Sequence, residues 1–209
     1  MEYAYGNWLL VIVNIAIFLA FVISSFKPRN KTDWRTFNMF AAFVVSLFAE
    51  MYGFPLTIYL LVSFFSRWFP NLSFTHSSGH LLIDVFGFKG DPHTNIIHLL
   101  SNLFIFGGLI LLSNAWKILY QANLESKIAN SGIYRHIRHP QYTAFILIII
   151  GFLLQWPTII TLTMAPILIF RYIRLSQSEE KYMIKKFGQS YTNYQKNTSQ
   201  FVPLFRKLV

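Results

Sequence analysis

Four long apolar stretches constrain this chain more than anything else, because a helix needs about 20 mostly apolar residues to cross a bilayer core. They cover residues 7–26, 39–65, about 95–114 and 142–175. The first is not preceded by Lys or Arg, is too long for a leader and is followed by no small-residue cleavage site, so it reads as a retained span. The second would reach about 40 Å as one straight helix, and Gly53 and Pro55 in its middle predict a kink or break. The third carries Gly107-Gly108, which permits close helix approach. The fourth is too long for one span. Trp156-Pro157 divides it into a helical hairpin, with Pro157 in the first turn of the returning arm. The first arm, about 14 residues, is short and spans with help from flanking residues or local thinning.

The expected fold class is therefore all-α: an integral-membrane bundle of about five spans, the last two forming a hairpin, plus a cytoplasmic C-terminal helix. Residues 1–209 form one domain, with N-terminal spans in 1–116 and a functional core in 117–209. Charge supports the count. Of the 18 Lys and Arg, all but Arg67 and Lys89 fall in the segments that five spans place on one side. This positive-inside pattern predicts the N terminus outside and the C terminus in the cytoplasm. The net charge of +10 is then mainly a topology signal with some attraction to anionic lipid, and no nucleic-acid partner is expected. Charged residues are only 12% of the chain, against about 25% in soluble domains, which argues against a water-exposed surface and against disorder. The absence of Cys excludes a disulfide framework, a thiolate nucleophile and a Cys-based metal site.

Polar chemistry concentrates beside the hairpin. Tyr134, Arg135, His136, Arg138, His139 and Tyr142 stand immediately before it, and Pro140 predicts a bend at His139. Read alone, this is a basic and aromatic interface anchor. After the hairpin, Met183, Phe187, Tyr191 and Tyr194 form a helical stripe, as an amphipathic surface helix would. Glu179-Glu180 is the chain's one paired acid, serving either as a counter-charge or as a ligand-binding group. Both segments fall on the same membrane face, so a site built from them opens to the cytoplasm.

Taken together, Gly132, Tyr134, Arg138-His139-Pro140 and Tyr142, then an apolar hairpin, then Glu179-Glu180, Phe187-Gly188 and Tyr191 resemble the integral-membrane methyltransferases typified by isoprenylcysteine carboxyl methyltransferase. The phospholipid N-methyltransferases are similar. The resemblance covers roughly residues 117–205. It implies S-adenosylmethionine as methyl donor and a lipophilic small molecule or lipid as acceptor, methylated at carboxylate O, thiol S or amine N. It also implies a cofactor pocket of Tyr134, His139, Pro140, Gln141 and Tyr142, with the 126–129 segment, including Lys127 and Ile128, beside it. Glu179 would contact the cofactor's polar end, and Gln121 falls within two residues of a cofactor-contacting Gln. The carboxyl methyltransferases carry a substrate-orienting Arg four residues before the first Glu. Here that position is Leu175 and Arg174 is one residue earlier, which tilts the acceptor away from an isoprenylcysteine carboxylate. Arg138, Arg174 and Glu180 are the residues expected to act on the reacting groups.

Methyl transfer from a sulfonium aligns two molecules and needs no covalent enzyme intermediate. No G-x-G-x-x-G or parallel-sheet alternation is present, so a cofactor site must come from helices and loops. Sterol reductases, which use NADPH, resemble the same C-terminal pattern but are usually longer; a non-enzymatic lipid-binding protein is the third reading. Glu50 inside the second span reads as a hydrogen-bonded packing residue or a functional carboxylate. His98, Ser101 and Asn102 share a face and are expected to make interhelical hydrogen bonds. His76, His80 and Asp84 are spaced as ligands on one helical face, but Gly79 weakens that helix, so a polar external loop with no metal is expected.

Overall fold

The apolar runs fold as helices whose ends are set by local chemistry. The computed structural model describes residues 5–28, 31–70 and 72–203. Their helices are α1 (Trp8–Phe26), α2 (Lys31–Phe48), α3 (Leu56–Phe64), α4 (Leu81–Val85), α5 (Ile96–Leu124), α6 (Pro140–Gln155), α7 (Ile159–Phe187) and α8 (Gln189–Asn197). Among the described residues, four spans are long and apolar enough to cross a membrane: α1, α2 with the turn that follows it, α5 and α7. The shorter apolar α6 rises about 24 Å. The protein is an all-α, multi-pass membrane bundle.

Contacts at the helix ends fix the order of crossing. The Gly6 N–H donates to the Tyr52 and Gly53 carbonyls, so α1 starts where α2 ends. His80, just before α4, reaches the Gln155 carbonyl at the end of α6. At the hairpin turn Thr158 and Thr161 form a reciprocal cap at the start of α7.

The second span differs from the apolar run in two ways. Its helix begins at Lys31, because the polar stretch before Met39 is itself amphipathic and buries Thr36 and Phe37. It then breaks as expected, through a π turn at Ala49–Gly53 and an extended Phe54, with Pro55 capping α3. At nine residues, α3 rises about 14 Å and cannot cross a bilayer. Glu50 is buried, and its Oε2 accepts the Thr57 N–H at 2.8 Å. This carboxylate satisfies one of the orphan donors at the start of α3.

The core draws on α1, α2, α5, α6 and α7, with Phe40, Phe43, Phe145, Leu112 and Tyr172 sealed inside. Close packing of α5 on α6 depends on Gly108 and Gly151, whereas Gly107 faces open space. A Cβ on Gly151 would meet Ile105 Cγ1 at 2.7 Å and the Ser101 carbonyl at 2.9 Å. Ser101 does not bond across helices as expected; its hydroxyl donates to the His98 carbonyl of its own helix at 2.7 Å. Gly151→Ala is expected to destabilise the bundle by about 1–3 kcal/mol. Gly107→Ala should be neutral or stabilising by up to about 1 kcal/mol. Thermal melting of both variants in one detergent checks the contrast.

Candidate functional site

Two polar segments meet where α6 begins and where α7 continues beyond its apolar part. Gly132 opens a turn in the left-handed region at φ 53°, and a Cβ there would meet Ile118 at 2.6 Å. The turn drops Tyr134 into the interior, where its hydroxyl donates to Gln141 Oε1 at 2.8 Å. His139 then caps α6 with Pro140 in its first turn, where a missing N–H costs nothing.

A third segment completes the arrangement. Ile137 and Ser199 form a parallel bridge. The N–H groups of Arg138 and His139 donate to the Ser199 and Gln200 carbonyls at 2.8 and 3.1 Å. The Thr143 hydroxyl donates to the Phe201 carbonyl at 3.0 Å.

The two adjacent glutamates are used differently. Glu180 is buried and saturated. Its Oε1 accepts from Arg138 Nε at 2.8 Å and faces His139 Nε2 at 3.0 Å; its Oε2 accepts from Gln195 Nε2 at 2.8 Å. Arg138 also donates to the carbonyls of Gln195 and Thr198. These contacts tie the pre-hairpin loop to α7 and to the segment after α8. Glu179 has more freedom: Oε1 accepts the Tyr142 hydroxyl at 2.6 Å, and Oε2 lies 3.5 Å from His139 Nδ1. Its side chain keeps 35% of its exposure and lines a cavity.

Both His139 ring nitrogens thus face carboxylates, which favours the doubly protonated ring. Burial pushes its pKa down, but the hydrogen bonds to Glu179 and Glu180 outweigh it and hold the pKa above the ordinary value. The stability contributed by this shift is complete below pH ~6.5 and is lost as pH rises through the raised pKa. His139→Gln is expected to remove that pH-dependent part of the melting temperature, which a melting series from pH 6 to 9 reads directly.

The cavity, about 250 Å³, is lined by Asp33, Trp116, Ile128, Tyr134, Arg138, His139, Gln141, Tyr142, Glu179, Met183, Tyr191 and Tyr194 among others; Glu180, expected beside Arg138 as an acting group, is not in the lining. The Trp116 indole N–H is buried without a hydrogen-bond partner. It is a donor available to a guest molecule. Trp116 and Asp33 were missed by sequence reasoning. Asp33 is the sole acid among the basic residues of 27–35, a signal that could have found it; Trp116 lies just beyond the apolar run of 95–114 and carries no such signal.

The other expected residues lie elsewhere. Pro140 is buried but shapes the helix start rather than the cavity wall. Gln121 and Lys127 lie in a separate surface depression that shares Ile128 and Ala129 with the cavity. There they engage Glu125, at 2.6 and 3.2 Å. Arg174 is exposed, with its guanidinium over the Phe170 ring. Tyr172 and Ser176 face the interior. Arg174 is two residues from each, about 200° around the helix, and so points away. The post-hairpin stripe is not one surface helix. Gly188, at φ 56°, turns the chain between α7 and α8, which folds Met183, Tyr191 and Tyr194 around the same cavity.

These features define a polytopic helical membrane protein with a charged, aromatic cleft at one end of the bundle. Its similarity is to membrane methyltransferases: residues 96–190 match the family model described as phospholipid methyltransferase. The chain is also 25% identical over 83 residues to the protein-S-isoprenylcysteine O-methyltransferase of Schizosaccharomyces pombe, covering 39% of this chain and 35% of that one. The chain thus spans about a third of that relative's length. No solved structure matches.

Proposed function

We propose that this protein is a membrane-embedded methyltransferase that uses S-adenosylmethionine to methylate a lipophilic acceptor. The observation that carries the reading is the half-buried Glu179 carboxylate, set among tyrosines in a cavity built from both segments that the resemblance singles out. The donor set suits the cofactor: a carboxylate for its amine, aromatic faces of Tyr134 and Tyr142 for its cationic sulfur or adenine, and the unpaired Trp116 N–H for an acceptor atom. When bound, the cofactor supplies an electrophilic methyl group.

The chain's own residues bind and orient. Glu179 and Tyr142 hold the cationic end. Glu180 positions His139 and the loop, and Arg138, held by Glu180, presents its side chain to the cavity. The tyrosines and Met183 give the cleft a largely apolar wall, which strengthens the charge interactions beside it. No residue in the lining is needed as a base when the acceptor arrives as an anion. The whole chain works as one domain, with its N terminus outside and the cleft open to the cytoplasm, where the basic residues gather. Lipid-facing α1, with exposed Leu9, Ile12 and Ile17, places the bundle in contact with the pool of apolar acceptors.

The test is incubation of purified protein with methyl-labelled S-adenosylmethionine and a lipid and thiol extract. A labelled apolar product is expected. Calorimetry showing NADPH binding in place of S-adenosylmethionine binding would overturn the assignment in favour of a reductase.

A further inference from the structure

The far end of the bundle holds a second concentration of chemistry. His76 lies in the turn His76–Gly79, His80 follows it, and His93 lies in the turn Pro92–Thr94. One ring nitrogen from each of these three residues lies within 4.8 Å of the others. His98, in the first turn of α5, has its ring 5.3 Å from that of His80 and 5.2 Å from that of His93. Helical spacing had paired His76 and His80 with Asp84. The chain between them is a 3₁₀ turn followed by a bend at His80, so Asp84 is exposed and His93 takes its place.

The hydrogen bonds select a ligand rather than simple packing. His80 Nδ1 lies 2.9 Å from the Gln155 carbonyl. A carbonyl only accepts, so Nδ1 carries the proton and Nε2 presents a lone pair. His80 is only 3% exposed, and its Nε2 is buried with no partner. The His76 ring bonds the Met51 backbone. A metal-ligating imidazole is usually oriented this way, by donating its other nitrogen to a carbonyl. His98 Nδ1 is a second buried nitrogen without a partner beside the group. A tilted contact of His76 with Trp156, at 4.5 Å, and its stacking on Tyr52, at 5.4 Å, account for the plane of that ring. They give the orphaned nitrogens nothing to bind.

We propose that His76, His80 and His93 bind one zinc-class divalent cation. Imidazole nitrogen suits zinc and its borderline neighbours, whereas calcium and magnesium require oxygen donors. Exposed His93 leaves the ion a route in from the aqueous phase. The ion would tie the 76–80 turn to the segment leading into α5, against the Gln155 end of α6.

The test uses full-length protein in detergent, purified through a tag without histidines, stripped with chelator and titrated with zinc chloride. One ion per chain is expected, with a raised melting temperature. Cobalt(II) in place of zinc should give the visible absorption of a low-symmetry nitrogen site. His93→Ala, at an exposed position, should melt like the parent without metal yet lose more than about 100-fold of its zinc affinity, above the loss of an orienting hydrogen bond. Absence of saturable binding, or equal binding by His93→Ala, overturns the proposal. The site is remote from the methyltransferase cleft, so binding of S-adenosylmethionine is read independently in the same samples.

Discussion

Glu179→Ala is expected to lower the affinity for S-adenosylmethionine by about 10–100-fold, the equivalent of losing one charge-assisted hydrogen bond of about 1.5–3 kcal/mol. The bundle itself should lose only about 1–3 kcal/mol, the cost of leaving the buried Tyr142 hydroxyl without this acceptor, because its neighbour Glu180 makes the ties that join the segments. Isothermal titration of the variant and parent, alongside their melting curves, checks both halves. Unchanged affinity would remove Glu179 from the binding site.

Glu180→Ala should have the opposite signature. Arg138 and His139 would be left facing one another's charge in a buried setting, with Gln195 released as well. Removing one partner of a buried pair costs about 3–5 kcal/mol, enough to lower the melting temperature severely and take cofactor binding with it. Replacing both Arg138 and Glu180 by Leu should cost less than Glu180→Ala alone, since no unpaired charge of that pair remains buried. A double-mutant cycle read by thermal melting distinguishes a clasp from two independent side chains.

The difference between these adjacent acids was not legible in the sequence. The spans were, because apolar length is a property of the chain alone, and Pro55, Trp156 and Pro157 marked a break and a turn that the structure contains. The pairing of the two polar segments followed from the hairpin. Which glutamate is tied down depends on Gln195 and on the carbonyls of Gln195, Thr198, Ser199 and Gln200. Carbonyl groups carry no side-chain signature, so no reading of residue types finds them. Arg174 was misplaced for a related reason: nearness in sequence to a family position says nothing about which side of α7 is turned inward. His93 was passed over because the irregular backbone between it and His80 defeats any fixed spacing.

The parallel bridge between Ile137 and Ser199 bears on how the protein matures. Residues 195–201 leave the ribosome after every helix that crosses the bilayer, and Arg138 and His139 have their backbone partners only then. Insertion and competence are therefore separate events: a chain still being translated can be fully threaded into the membrane while the loop that carries Arg138 and His139 to the cleft has no anchor.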